Sequence, residues 1–283
     1  MFITTQVPND AFIQQILPCV LQACAMLREE YQHYCAGGAF DINKKSDDSP
    51  VTQADFRVNQ YLTEALQAVS DLPLLSEEGD KTGRQAWQKF WLLDPLDGTK
   101  EFLHQRPQFT INLSLIEGHH TIFAMLAVPE DYSVYICPLQ GLPLKYDAKI
   151  QTWSQYQAPA VNQAIQVGLS QSSQQKAQYL DYLVALEQIT PYSIFKSGSA
   201  YKFCMMLEDK VDIYPRFHPT CEWDTSAGQC LIERIGGGLI DFQGRPFMYN
   251  QRQTLLNGGF LAYRNLEMKQ LALQALERMV HKD

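Results

Sequence analysis

The 283-residue sequence is most informative first for what it lacks. Its seven cysteines (Cys19, Cys24, Cys35, Cys137, Cys204, Cys221 and Cys230) are odd in number and include no CxxC pair. That excludes a paired zinc-ligand pattern and a complete disulfide framework, and points to buried thiols in a reducing cytoplasm. Basic residues are in deficit: 23 Lys and Arg stand against 31 Asp and Glu, a net charge of -8. A groove for DNA or RNA needs a basic face, so polymeric nucleic acid is not an expected partner. A small phosphorylated substrate stays compatible, because divalent metals can supply positive charge locally. Gln, Pro and charges interrupt every apolar run, and the first residues show no basic region followed by an apolar core. Neither a transmembrane segment nor a signal peptide is therefore expected. The six histidines have no metal-ligand spacing, and no P-loop, nucleophile elbow or internal repeat is present. The remaining composition, 46% hydrophobic and 19% charged, is that of a globular chain able to form one large domain or two modest ones.

The strongest local signal is Phe90-Trp91-Leu92-Leu93-Asp94-Pro95-Leu96-Asp97-Gly98-Thr99. An apolar, aromatic run closed by turn residues predicts a sheet-core strand. Pro95 removes a backbone donor and biases Asp94 to extended angles, so the strand is expected to end there. Gly98 permits a tight turn, and Thr99 suits the cap of a helix beginning at Lys100. Two acids three residues apart on such a turn can converge, and oxygen-only ligation suits a hard cation such as Mg2+. The N–H groups of Gly98 and Thr99 at a helix start would suit an anion. Asp-Pro and Asp-Gly pairs are also common in surface turns, so this stretch alone leaves both readings open.

Three other stretches offer acids, each readable alone as a cap or a solvated pair. Val51-Thr52-Gln53-Ala54-Asp55 opens a helix with Phe56, Val58, Tyr61, Leu62 and Leu66 on its apolar face, and Asp55 in its first turn could face the same centre as Asp94. Leu72-Pro73-Leu74-Leu75 predicts a short strand that stops at Ser76-Glu77-Glu78, where adjacent carboxylates repel unless solvated or metal-bound. Trp223-Asp224-Thr225-Ser226-Ala227-Gly228 begins a helix of small residues with Asp224 in its first turn. Spacing further predicts a helix from residue 11 to the early thirties capped by Asn9 or Asp10, and strands over 109–116, 122–128 and 133–137. Beyond these come strand 165–169, helix 174–188 and strand 192–196, then a helix opened by Ser199, a strand over 211–214 and a terminal helix over 266–280. The Gln- and Ala-rich stretch 151–162 reads as a boundary. It would divide residues 1–150, an α+β part with most of the acids, from residues 151–283, an α/β part carrying Asp224.

Together, and in this order, the four acidic motifs resemble the signatures of the inositol monophosphatase superfamily of Mg2+-dependent, Li+-sensitive phosphatases. The resemblance spans residues 11 to about 260. Asp48-Ser49-Pro50-Val51-Thr52, Thr99-Lys100-Glu101-Phe102, Lys202-Phe203-Cys204, Tyr214-Pro215-Arg216-Phe217 and Pro219-Thr220 resemble its bacterial CysQ-type branch of 3′(2′),5′-bisphosphate nucleotidases. Ser226 departs from the Ala usual in that branch; a hydroxyl there is expected to cap or face solvent with little effect. The stretch 141–163 matches poorly.

The resemblance implies an αβαβα sandwich, like inositol monophosphatase and fructose bisphosphatase, with the metal site between its two halves. It implies that Glu77, Asp94 and the Leu96 carbonyl bind one Mg2+ and that Asp94, Asp97 and Asp224 bind a second, with two or three ions per site and Li+ as an inhibitor. Asp55, Thr99 and Glu77 take catalytic roles, Asp55 orienting Thr99 to help deprotonate the attacking water, and Glu78 supports the metals. Glu77, Leu96, Asp97, Gly98, Thr99 and Asp224 surround the phosphate, while Lys202 and Arg216 are candidates for the rest of a nucleotide. The implied reaction is hydrolysis of adenosine 3′,5′-bisphosphate to AMP and phosphate, in sulfur assimilation and nucleotide recycling. The implied location is the cytoplasm, including the cytoplasmic face of the inner membrane as a peripheral site. Inositol monophosphate or a sugar bisphosphate as substrate, and a silent metal or nucleotide sensor, are the alternatives. Nothing in the sequence indicates an oligomeric state.

Overall fold

The computed structural model describes residues 1–45, 50–158, 164–171, 173 and 176–280. Asp48 and Ser49 of the matched motif, Gln174 at the expected helix start, and His281 lie outside the described residues.

Alternation along β5 (Lys89–Asp97) sets the layering. Phe90 and Leu92 enter one apolar layer while Trp91 and Leu93 enter another. Burial on both faces explains why the strand reads as an unbroken apolar run. β5 belongs to an eight-stranded sheet ordered β1 (Phe2–Thr5), β10 (Thr152–Tyr156), β9 (Leu144–Asp147), β8 (Ser133–Cys137), β7 (His120–Val128), β6 (Thr110–Glu117), β5 and β4 (Leu74–Ser76). β4 pairs parallel with β5, and the other neighbours are antiparallel.

α1 (Ala11–Cys35) and α2 (Gln53–Val69) cover one face of this sheet through Ile13, Ile16, Val20, Val58 and Leu62. α5 (Tyr201–Leu207) and α6 (Ser226–Glu233) cover the other face and separate it from a second sheet. That sheet is ordered β12 (Tyr192–Lys196), β11 (Ile165–Leu169), β13 (Ile213–Arg216), β17 (Phe260–Tyr263) and β15 (Gly238–Ile240). α4 (Ala177–Glu187) and α7 (Leu266–Val280) close its far side. The layers therefore run helix, sheet, helix, sheet, helix, the expected αβαβα fold class. Small residues make the middle layer thin: a Cβ at Gly228 would stand 2.1 Å from the Phe203 ring. Two short pairs, β2 (Ile42–Lys44) with β3 (Pro50–Thr52) and β14 (Thr220–Cys221) with β16 (Leu256–Asn257), flank the sheets.

Several local expectations shift. Pro95 does not end the strand: Asp94 faces Asn112 and Asp97 faces Thr110, so Pro95 and Leu96 together form a bulge and β5 continues to Asp97. β10 lies beyond residue 150 yet pairs with β1 and β9 in the first sheet. The strand expected over 211–214 is β13, two residues later, and the helix after Ser199 starts at Tyr201. α1, contrary to expectation, is long and apolar enough by length and composition to cross a membrane; in this fold 39% of its most apolar window is buried within the protein. The charges that interrupt it fall mainly in its last two turns, from Arg28 on.

Candidate active site

Several chain segments meet at one cavity of about 470 Å3, lined by Glu77, Asp94, Leu96, Asp97, Gly98, Thr99, Arg216 and Asp224 among others. The bulge positions the first two acids. Asp94 Oδ1 accepts from the Leu96 N–H at 3.0 Å, so the turn is tied by its own carboxylate. Asp97, at the end of β5, accepts from the Ala200 N–H at 2.6 Å and from Asn112 Nδ2 at 3.3 Å. Asn112 is itself fixed by the Thr110 hydroxyl, which donates to its Oδ1 at 2.9 Å. Asp224 ends a short 3-10 turn, Glu222–Asp224, before α6 rather than sitting in that helix's first turn. Its Oδ2 accepts from the Cys221 N–H at 2.8 Å.

These contacts bring carboxylate oxygens of Asp94, Asp97 and Asp224 within 4.8 Å of one another. Burial pushes all three carboxyls up from their ordinary range. Glu77, Asp97 and Asp224 push Asp94 further, while Asp97 is partly relieved by the Ala200 N–H and Lys202. Buried like charges held this close are costly unless protonated or joined by a cation. The donors are all hard oxygens, so the residues fit a divalent metal ion.

Glu77 follows β4. Its N–H donates to the Leu93 carbonyl at 3.0 Å, and its carboxyl is pushed up by burial, with Lys45 opposing. Lys45 Nζ contacts both Glu77 and Glu78. Asp55 sits in a capping box: its Oδ2 accepts from the Thr52 N–H and the Thr52 hydroxyl, both at 2.7 Å. Its Oδ1 accepts from the Thr99 hydroxyl at 3.3 Å. Burial first, then Glu78 and Glu77, push Asp55 up to about 6 against the opposing Thr52 hydrogen bonds. Thr99 opens the five-residue α3 (Thr99–Leu103), with Gly98 left-handed at φ 95° and no side chain capping the helix. A Cβ at Gly98 would lie 3.1 Å from Ser199 Cβ and 3.3 Å from the Gln108 carbonyl.

Arg216 lines the cavity, and its Nε is buried without a partner. Lys202, expected to touch a nucleotide, instead lies behind the cavity wall, fully buried. Its Nζ donates to the Ser197 and Ser199 carbonyls at 2.9 and 2.7 Å and stands 4.8 Å from the Tyr214 ring centroid. Burial and Arg216 lower its pKa to about 7, with Asp97 and Glu101 opposing. Ser226 neither caps nor faces solvent: buried, it shares a 2.7 Å hydrogen bond with Ser114 on β6. Sequence reasoning missed Lys45, Asn112 and the Ala200 N–H; the Lys44-Lys45 pair beside an acidic site was the one available signal.

The inositol monophosphatase family model matches residues 11–281. The chain belongs to the inositol monophosphatase family. Within that family it is similar to curated proteins named 3′(2′),5′-bisphosphate nucleotidase CysQ. It is 33% identical over 247 residues to the one from Escherichia coli, covering 84% of this chain and 97% of that protein. It is 30% identical over 263 residues to the one from Haemophilus influenzae, covering 89% and 93%. Among solved structures, CysQ from Bacteroides thetaiotaomicron superposes with a TM-score of 0.75 at 25% identity, covering 92% of this chain and all of that one. A Thermotoga maritima inositol monophosphatase superposes at 0.74 with 17% identity, covering 96% and 99%, and so shares the family fold.

Proposed function

We propose that this inositol monophosphatase family member is a Mg2+-dependent 3′(2′),5′-bisphosphate nucleotidase that hydrolyses adenosine 3′,5′-bisphosphate to AMP and phosphate. The observation that carries the chemistry is the convergence of Asp94, Asp97 and Asp224 beside the Thr99–Asp55 hydrogen bond in one cavity. Likeness to CysQ nucleotidases over nearly their whole length selects the nucleotide among phosphate monoesters. A cavity of about 470 Å3 is also in the range that takes a small nucleotide.

In this reading Glu77, Asp94 and the Leu96 carbonyl would hold one Mg2+, and Asp94, Asp97 and Asp224 would hold a second. When bound, divalent ions supply the positive charge that clamps the phosphoryl group and acidifies water. The chain's own groups do the rest. Asp55, anchored by Thr52, accepts the Thr99 proton, which leaves the Thr99 oxygen to take a proton from the attacking water. A carboxylate near 6 is matched to that duty at neutral pH. The Gly98 and Thr99 amides hold phosphate oxygens, and positioning of this kind is most of what phosphoryl transfer requires. Arg216 contacts the remainder of the nucleotide. Lys202 acts one step back, by holding the turn whose Ala200 N–H fixes Asp97. The division near residue 150 then separates a part carrying Asp55, Glu77, Asp94 and Asp97 from one carrying Asp224 and Arg216. An odd set of seven cysteines without a CxxC pair fits a reducing cytoplasm.

Phosphate release with Mg2+ tests the reading, comparing adenosine 3′,5′-bisphosphate, inositol 1-phosphate and fructose 1,6-bisphosphate, each with and without Li+. Preference for the nucleotide, lost with Li+, is the expected result. Preference for another ester moves the substrate and keeps the site. Release from none of them, with Mg2+ still bound, makes the protein a sensor.

A further inference from the structure

Lys45 holds a position that the phosphatase reading leaves unused. It follows β2, on the segment leading to the cap of α2, and its ammonium contacts Glu77 and Glu78 together. The ammonium is not a solvated surface charge. Its side chain is 22% exposed and Glu78's is 6% exposed. The ammonium is held between two carboxylates rather than one, Glu77 on one side and Glu78 on the other. Glu77 also faces Asp94, whose carboxyl it pushes up, so Lys45 neutralises the edge of the acidic cluster itself. An ammonium and a divalent ion cannot both take the same carboxylate oxygen without repelling each other.

We infer that Lys45 is a tethered internal competitor for the cation site at Glu77, and that a divalent ion gains Glu77 only by displacing the Lys45 ammonium from it. The inference rests on Glu77 being a metal ligand. Such a competitor keeps Glu77 and Glu78 paired in the cation-free protein and sets the metal concentration at which the site fills. The measured affinity of the site is its intrinsic affinity reduced by the strength of the Lys45 pair.

The test is direct ion binding to the full-length protein without substrate, using Mn2+ and following the free ion by electron paramagnetic resonance. K45Q removes the charge on a polar side chain one bond shorter, whereas K45R keeps the charge. K45Q should bind its first Mn2+ about tenfold more tightly than wild type, the scale of one partly buried ion pair removed from competition. K45R should stay close to wild type. Unchanged or weaker binding by K45Q overturns the inference, because Lys45 would then support the ion or be indifferent to it. Equal tightening in K45R overturns it as well, since charge would not be the cause. E77Q separates the two levels of the argument: if its first-ion affinity matches wild type, the assignment of Glu77 as a ligand fails first.

Discussion

Asp94→Asn should make the cation-free protein more stable and the enzyme inactive. Asp94 is 1% exposed, and its oxygens lie within 4.8 Å of those of Asp97 and Asp224. At an effective dielectric of about 20, two full charges at that distance repel by about 3.5 kcal/mol. The cluster relieves part of this by retaining protons, so neutralising Asp94 should return about 2 kcal/mol at pH 8. For a chain of this length that raises Tm by about 4 °C. The amide oxygen of the substitute can still accept from the Leu96 N–H, so the turn survives. The sign with pH follows from linkage. Asp94 titrates higher folded than unfolded, so wild-type stability falls as pH rises from about 4 through the folded pKa. The advantage of D94N should therefore be greatest at pH 8 and vanish near pH 4. Mg2+ should reverse the order, raising the wild-type Tm well above that of the variant, and turnover should drop by about 10^3 or more, several kcal/mol of lost transition-state stabilisation. Thermal melts in EDTA and in Mg2+ across this pH range read all of this. A variant that melts below wild type in EDTA at pH 8, or an equal Mg2+ shift in both proteins, would refute the electrostatic account.

Asp55→Asn should lower kcat by about 10^2 to 10^4 with little change in KM, the usual range for a lost general base. The wild-type pH profile should show an acid limb with its midpoint no higher than about 6, because bound cations can only lower Asp55 from that value; a limb centred well above 6 assigns the base elsewhere. Gly98→Ala should cost about 1–3 kcal/mol in denaturant melts, since φ is 95° and the new Cβ meets Ser199 at 3.1 Å and the Gln108 carbonyl at 3.3 Å. Lys202→Met should free the Ser197 and Ser199 carbonyls and loosen the Ala200 N–H on Asp97. It should weaken Mn2+ binding and kcat together while K202R partly restores both; a change confined to nucleotide KM would instead make Lys202 a substrate contact.

The chemistry-bearing acids were legible because each ends a run whose pattern declares itself: an apolar strand stopping at Asp94, another at Glu77, a cap at Thr52 with Asp55 three residues on. Identity of side chain and local turn chemistry are both written in contiguous sequence. What holds those acids is not. The Ala200 N–H that fixes Asp97 carries no residue identity, and its partner lies 103 positions away. Asn112 reads as one more polar position in an alternating strand until β6 sets it opposite Asp94. Ser226 looks like an exposed hydroxyl until Ser114, 112 residues distant, meets it in the middle layer. Lys202 and Lys45 each pass for surface charge, and only packing distinguishes a lysine behind the cavity wall from one paired with two glutamates at its rim. Even Pro95, the clearest local signal, was overruled by tertiary pairing. Its missing donor predicts a strand end, whereas pairing with β6 resumes beyond it and the missing N–H is absorbed in a bulge. That bulge sets Asp94 and Asp97 out of regular register and allows both to reach Asp224. A local rule that failed as a boundary thus marks where the backbone is bent to build the site. Breaks in strand pattern next to carboxylates are therefore better read as places where side chains are re-aimed than as places where structure stops.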